Sequence, residues 1–345
     1  MRDARGCPFG THRAGGQMPQ PAERIDPSPE IWRNELLFDV EFLNLDSSSM
    51  RQIAEEAGGD TATIARRITE IVGERGKMHN PVTRSGGVAV GRIREVGPGH
   101  PAHGTAPGTL ICSGVSLSLT PLTLSAIHEI DVRSAQLRVT GQAVLHETAH
   151  FGVLPEDFDL RSAMAVMDVC GAPTVVHRSV APGERVAIMG AGKAGLLAAV
   201  AAREALGPAG EVVVFDVDAA ALAEIAALDI ASATFQADLT DAVATFAGAE
   251  AASGGALFDF VVSATNAAGA ETGAILATRQ GGRILFFGMA TNFQVAALSA
   301  EGVGKDIAML IGNGYALGGV DFAFDLLRSN PAARALLERR LAGPG

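Results

Sequence analysis

ERVAIMGAGKAGLLAAVAAREALGPAGEVVVFDVD, residues 184–218, reads as a strand, a glycine turn, a helix and a second strand. Val186 to Met189 make a short apolar strand, and Gly190, Gly192 and Gly195 fill the three glycine places of a G-x-G-x-x-G turn. Gly190 permits the tight turn, Gly192 admits a pyrophosphate close to the backbone, and Gly195 lets the helix lie against the strand. Ala191, Lys193 and Ala194 complete the turn, and the helix from about Ala194 to Leu206 offers its unpaired N–H groups and positive dipole end to phosphate. Asp216, ending the second strand at Glu211–Phe215, is placed to accept hydrogen bonds from an adenosine ribose. A carboxylate there repels a 2′-phosphate and no Arg follows it, so the expected cofactor is NAD rather than NADP.

The remainder of this half has the same texture. DFVVSA (259–264) and RILFFG (283–288) are near-continuous apolar runs, as in parallel strands buried on both faces, with Ala-rich helical segments between them. Ligands bind outside the carboxyl ends of such strands, which makes Ser263, Ala264, Thr265, Gly288 and Met289 candidate ribose and nicotinamide neighbours. Asn266 is either another of these or the cap of the next helix. Alternating strand and helix predicts a doubly wound Rossmann sheet. Helices are expected at Leu160–Val176 and Val320–Leu341, and a strand within IAMLIGNGYALG (307–318).

At 345 residues the chain is long enough for two cores, and its 48% hydrophobic and 19% charged composition is that of a soluble globular protein. A formal charge of −11 argues against a nucleic-acid partner, whose phosphates require a concentrated basic surface. No segment has the unbroken apolar length of a membrane span, and MRDARGCPFGTHR lacks the apolar core of a signal peptide, so a cytoplasmic protein is expected. Cys7, Cys112 and Cys170 are widely separated and contain no C-x-x-C, and the eight histidines show no ligand-like clustering.

The N-terminal half is mostly β. Residues 1–30 are rich in Pro, Gly and charge and read as an irregular arm; Cys7, His12 and Arg13 either cap a site or belong to a solvated arm. NELLFDVEFLNL (34–45) alternates as a half-buried strand does. Asp46 or Ser49 is positioned to cap a following helix that Gly58 and Gly59 break, and a second helix is expected from Thr61 to about Glu74. Strands are expected in SGGVAVGRIREVG, LICSGVSLSL, AQLRVTG and QAVLHETAHFGVLP.

A β-rich first half, APGERV before a strand and a Rossmann second half together resemble the medium-chain dehydrogenase/reductase superfamily. NELLFDVEFLNLD is similar to its first core strand, SGGVAVGRIREVG to its glycine-rich second one, and LPEDFDLRSAMAVMDVCGAPT to its passage into the cofactor domain. The resemblance implies an α/β protein with a β-rich GroES-like catalytic domain over 1–155, a Rossmann domain over 156–318, and a C-terminal segment, 319–345, returning to the catalytic domain. It also implies a homodimer paired through the edge strand in residues 307–319. Zinc-dependent members carry a Cys where this chain has Asn44 and a Gly-His-Glu where it has Ser85, Gly86 and Gly87. Cys170, near another ligand place, cannot make a tetrahedral site alone, so no metal is expected.

GCPFGTHR, MPQPAERID, LNLDSSSMRQIAEEAGGD, ERGKMHNPVTRSGG and GAGKAG resemble more closely a zinc-free branch that deaminates a diamino acid oxidatively with NAD. That resemblance implies a small diamino acid as substrate and a general base in place of the metal. Asp46, close to the superfamily's proton-relay hydroxyl, is the candidate for the base, or for holding the hydrolytic water; the alternative is a helix cap. One carboxylate and two ammonium groups ask for a cation, from Arg13, Lys77, Arg84 and Lys305, and for a further acid, from Glu55 and Glu56. The loop HNPVTRSGG lies where the metal site would have been, which makes His79, Asn80, Thr83 and Ser85 candidate substrate contacts. Two other readings remain. A zinc-free quinone or enone reductase suits Asp46 and this polar loop less well, and an NAD(H)-sensing module lacks a basic or low-complexity interaction segment.

Overall fold

The computed structural model describes residues 1–114, 116–312 and 314–342. Val115 of the expected strand stretch LICSGVSLSL, Asn313 of the expected edge stretch and residues 343–345 lie outside the described residues. The chain divides into two compact units, one running from Met1 to Asp168 and the other from Val169 onward.

The first unit is built on a six-stranded antiparallel sheet. Its strands are β1 (Glu35–Leu45), β2 (Gly87–Val96), β3 (Leu110–Ser113), β4 (Leu122–Asp131), β5 (Gln136–His146) and β6 (Phe151–Val153), in the order β4-β5-β1-β2-β3-β6. β1 lies between β5 and β2, and a bulge at Val40/Phe42 reverses its phase. Leu36, Phe38 and Val40 face the core before the bulge, Leu43 and Leu45 after it. Gly141 and Gly91 flank that bulge because no side chain fits: a Cβ would lie 2.2 Å from Thr123 O and 1.9 Å from Asp39 O respectively. Gly141 therefore marks a close backbone approach inside one strand, not the break between AQLRVTG and QAVLHETAHFGVLP expected from the sequence. β4 had no expectation at all.

Two helices cover the core. α1 (Ser47–Glu56) buries Met50 and Ile53, and α2 (Thr61–Arg75) buries Ile64, Ile68, Ile71 and Val72. Asp60 caps α2 by accepting from Thr63 N–H, and Gly76 ends it in the left-handed region. α3 (Leu160–Val169) follows β6.

The arm is irregular, as expected, but it is not solvated. Arg13 is 3% exposed and Glu35, at the start of β1, is fully buried. The guanidinium donates from Nε to Glu35 Oε1 (2.8 Å) and from Nη2 to Oε2 (2.7 Å). His12 Nε2 lies 2.8 Å and His146 Nδ1 3.3 Å from Oε1, and Trp32 N–H donates to Oε2. Burial alone would push the Glu35 carboxyl up; the hydrogen bonds from Arg13, His12 and His146 and the guanidinium charge outweigh it and hold it far below the usual carboxylate range. Lys77 is equally buried, with Nζ donating to Pro19 O and Gln20 O, and burial followed by the Arg75 charge pushes it down to about 8. Arg13 and Lys77 are thus corrected from candidate substrate cations to clamps on the arm. Period-two alternation hid this, because it treats every acid in a central strand as solvent-facing.

The second unit is a six-stranded parallel sheet in the order β12-β11-β10-β7-β8-β9. α4 (Gly171–Ser179) precedes β7 (Arg185–Met189), α5 (Lys193–Leu206), β8 (Glu211–Asp216), α6 (Ala219–Ala226), β9 (Ala233–Gln236) and α7 (Ala242–Ser253). After these come β10 (Phe258–Ser263), α8 (Glu271–Ala277), β11 (Thr278–Phe286), α9 (Phe293–Gly302), β12 (Ala308–Ile311), α10 (Gly319–Ser329) and α11 (Pro331–Ala342). The strand order reverses between β7 and β10, the topological switch point of a Rossmann sheet.

Two expected long helices are each a pair. The first breaks between Val169 and Gly171, and the second at Asn330, which stands before Pro331 in a non-helical conformation. Both helices of the C-terminal segment belong to the second unit. α10 buries Val320, Ala323, Phe324 and Leu327 and packs on α4 and α5, and α11 packs on α5.

Arg13→Met would leave Glu35 buried without its guanidinium. The expected loss is about 3–5 kcal/mol, read from the urea unfolding midpoint, with much of it recovered in Arg13→Met/Glu35→Leu. An unchanged midpoint in the single variant would show that the pair carries no such role.

Candidate functional site

Asp46 ends β1 and stands at the N-cap of α1, yet its side chain makes no capping bond to that helix. Instead Oδ2 accepts from Gly86 N–H at 2.7 Å, and Asp46 N–H faces Gly86 O at 3.4 Å. The helix-cap alternative from the sequence is therefore replaced by a bond across to the start of β2. That approach leaves no room for side chains: a Cβ on Gly86 would lie 2.5 Å from Ser118 N and 2.7 Å from Met78 O. On Gly87, with φ of 115°, it would lie 2.1 Å from Asn44 O. At both positions the chain packs backbone on backbone. Asn44 is buried and accepts from Gln136 Nε2 at 3.3 Å.

Beside this contact lies a network of hydroxyls. Ser49 Oγ is 2.8 Å from Thr83 Oγ1 and 2.7 Å from Ser85 Oγ; Thr83 and Ser85 are 2.9 Å apart, and Ser48 reaches Ser85 at 3.3 Å. Asn80 is fully buried: Oδ1 accepts from Val82 N–H and Thr83 N–H, and Nδ2 donates to Gln52 Oε1. The structure thus brings Asn80, Thr83 and Ser85 together with Ser48 and Ser49 of α1, next in sequence to the Asp46–Gly86 contact. His79 does not join them; its ring nitrogens are buried with no side-chain hydrogen bond among the described residues, and burial, then the charges of Lys77, Arg75 and Arg84, push it down towards the neutral form against a backbone hydrogen bond at Arg84. Arg84 is exposed, with a left-handed φ of 58°.

The opposite face of α1 borders a hollow of about 530 Å³. Ser47, Met50, Arg51, Ala54 and Glu55 form one wall, and the β4–β5 turn with Val132, Arg133 and Ala135 forms the other. Leu45 N–H donates to Ala135 O at 2.8 Å, so this second wall is tied to the residue before Asp46. Glu55 and Glu56 are both exposed, and only Glu55 lines the hollow. Arg51 was legible from its helical spacing to Ser47 and Glu55, whereas Arg133 depends on how β4 and β5 pair.

In the second unit the glycine turn has the shape a dinucleotide requires. Gly190 has φ of 112° and donates to Phe215 O at 2.8 Å. A Cβ on Gly195 would lie 1.7 Å from Gly190 O, so the helix start cannot back away from the turn, while nothing lies within 4 Å of the Cβ position at Gly192. α5 begins at Lys193 and continues through Ala194 and Gly195. Asp216 Oδ2 accepts from Ala191 N–H (2.6 Å) and Oδ1 from Asp218 N–H (2.9 Å); each oxygen keeps a further lone pair for a ribose hydroxyl.

Ala264 N–H donates to Met189 O, and Ala264 and Thr265 pass 3.0 Å from the Cβ position at Gly190. A Cβ on Gly288 would lie 2.0 Å from Thr265 O. Ser263 is buried, and its carbonyl accepts from Phe287 and Gly288 N–H. Arg340, from α11, donates to Ala191 O at 2.7 Å and to Glu224 at 2.7 Å, a contact no local motif announces. Lys305 Nζ donates to the carbonyls of Leu276 and Thr278 and is corrected from a substrate cation to a structural one. The open cradle at Gly192 and the acceptor at Asp216 fit an adenine dinucleotide.

Among the described residues one grouping offers metal-donor atoms, His12, Glu35 and His146, within 4.8 Å of one another. The sequence showed no such cluster because the residues come from the arm and from opposite ends of two paired strands. Arg13 already occupies both oxygens of Glu35.

A family model described as the L-erythro-3,5-diaminohexanoate dehydrogenase N-terminal domain matches residues 11–155. A protein of Acetoanaerobium sticklandii named L-erythro-3,5-diaminohexanoate dehydrogenase is 40% identical over 340 residues, 97% of this chain and 99% of its own length. One of the same name from Fusobacterium nucleatum is 40% identical over 96% of this chain and 98% of its own. A solved alcohol dehydrogenase from Thermotoga maritima superposes with a TM-score of 0.53 at 18% identity, over 89% of this chain and 85% of that one, which shows the shared medium-chain dehydrogenase fold.

Two glycine variants separate the turn's tasks. Gly192→Ala should leave the melting temperature unchanged and weaken binding of NADH, followed by its fluorescence, by tenfold or more, on the order of 1.4 kcal/mol. Gly195→Ala should lower the melting temperature as well. Unimpaired NADH binding by Gly192→Ala would reject the cradle.

Proposed function

The chain belongs to the L-erythro-3,5-diaminohexanoate dehydrogenase family, and from that premise we propose that it oxidises the C3 amine of L-erythro-3,5-diaminohexanoate with NAD, yielding 5-amino-3-oxohexanoate and ammonia. The observation that carries this reading is the match to two relatives of that name along nearly the whole length of all three chains. The glycine turn with Asp216 supports a nicotinamide cofactor, and the carboxylate at Asp216 supports NAD over its 2′-phosphorylated form.

The reaction consumes the ammonium form of the substrate, NAD and water, and releases ketone, ammonium, NADH and one proton. A C3 ammonium has no lone pair to assist loss of hydride, so it must first lose a proton. Asp46 is the proposed base: Gly86 N–H fixes one oxygen of its carboxylate and thereby the direction from which a proton is taken. NAD, held by the glycine turn and Asp216, would supply the acceptor for the hydride of C3. Water then adds to the resulting substrate iminium carbon, and ammonia leaves. The hydroxyls of Ser48, Ser49, Thr83 and Ser85 turn to donate or accept, and are proposed to hold this water and the departing ammonia.

We further read the protein as cytoplasmic, and as a homodimer paired through the edge strand β12, where Ile311 is 67% exposed. No helix among the described residues is long and apolar enough to cross a membrane.

Absorbance of NADH formed from NAD and 3,5-diaminohexanoate tests the proposal, with a chelator added in a parallel sample. Turnover is expected, unchanged by chelation. In Asp46→Asn the kcat should fall by about 10²–10⁴-fold, the range for loss of a general base, with NADH affinity retained. Absence of wild-type turnover would reject the function, and a normal kcat in Asp46→Asn would reject the base.

A further inference from the structure

Arg340 stands in the last turn of α11, 149 residues along the chain from the glycine turn it touches. Resting on the nicotinamide cofactor proposed above, we propose that Arg340 is a positioning residue for that cofactor's pyrophosphate: by gripping the Ala191 carbonyl it turns the Gly192 N–H towards the phosphate.

The guanidinium is committed on three sides. Nη1 donates to Ala191 O at 2.7 Å, Nη2 to Ala221 O of α6 at 3.3 Å, and Nε to Glu224 Oε2 at 2.7 Å. A cation in the last turn of a helix ordinarily serves the helix dipole from solvent. This side chain is only 20% exposed and leaves its own helix to join two other elements, which the fixed fork of a guanidinium permits and a single ammonium does not. Glu224 matches its charge, so what the turn receives from Arg340 is direction rather than net charge.

Ala191 is fully buried and held on both sides. Its N–H donates to Asp216 Oδ2 at 2.6 Å, and its carbonyl accepts from Arg340. The peptide group joining Ala191 to Gly192 is planar and trans, so its C=O and N–H point in opposite directions. With the carbonyl drawn towards α11, the Gly192 N–H points away from that helix. Gly192 is the N-cap of α5, where an N–H has no partner within the helix, and nothing lies within 4 Å of its Cβ position. That N–H is thereby offered to an anion. Glycines on both sides of Ala191 leave this peptide group free to turn over, which would set a carbonyl oxygen where a phosphate oxygen belongs. Arg340 opposes the reversal, and its bond to Ala221 O fixes the guanidinium against α6, the helix that follows Asp216.

Fluorescence titration of the full chain with NADH, and displacement of NADH by ADP-ribose or by adenosine, test the assignment. Arg340→Met should raise Kd for NADH and for ADP-ribose by about tenfold, the size of one charge-assisted hydrogen bond. Adenosine keeps the ribose that meets Asp216 but has no pyrophosphate, and its Kd should change by less than about twofold. Such a split is not produced by general damage to the fold. Arg340→Lys should recover part of the loss, and Arg340→Gln carries the same comparison if Arg340→Met does not fold. Wild-type binding with an unaltered NADH Kd in the variants, or an equal loss for NADH and adenosine, overturns the positioning role and leaves the cofactor standing. Absence of NADH binding by the wild type overturns the cofactor and the role with it.

Discussion

The first unit is organised around the contact of the end of β1 with the glycines that open β2. Gly86 and Gly87 lie so close to Met78, Ser118 and Asn44 that a single Cβ at either position would collide with backbone. This approach delivers the Gly86 N–H to Asp46 and draws the side chain away from the helix it would otherwise cap. It also sets the loop carrying Thr83 and Ser85 against serines 48 and 49. This place thus presents a carboxylate and a set of hydroxyls, groups suited to moving protons and holding water. Amine oxidation suits these groups, because once deprotonated the nitrogen lone pair itself provides the electronic push for loss of hydride.

Stability of the same unit rests on a second buried polar arrangement. Glu35 and Arg13 are both withdrawn from water, and each leans on further partners: His12, His146 and Trp32 N–H around the carboxylate, and the carbonyls of Asp26, Ser28 and Glu30 around the guanidinium. With its hydrogen bonds met, such a pair makes one arrangement of the arm far better than any other, at considerable desolvation cost. Lys77 does the same from the loop side by taking two carbonyls of the arm. Residues that resemble a functional cap in the sequence thereby serve to close the fold.

What was legible in the sequence follows the range of the forces involved. The Rossmann half was readable because Gly190, Gly192, Gly195 and Asp216 act within one local unit, and because parallel strands buried on both faces leave apolar runs. The medium-chain fold was readable from motifs along the chain. Illegible were contacts made by pairing: Gly141 as a close strand approach, Arg340 beside Ala191, and Arg133 brought to α1 by the β4–β5 turn. Charge was the least legible property. Arg13, Lys77 and Lys305 all looked available for a substrate carboxylate, and all three are held by carbonyls or by Glu35, because burial cannot be read from residue type. Asp46 was singled out by resemblance alone, and only the structure shows its side chain turned to Gly86.

The central claim is that hydride leaves C3 of the diamino acid as its amine is lost. It is tested most directly with 3,5-diaminohexanoate deuterated at C3, measuring deuterium in the recovered NADH by mass spectrometry alongside the ammonia released. The account predicts one deuterium in NADH for each ammonia formed. Unlabelled NADH, or NADH formed without ammonia, would contradict it.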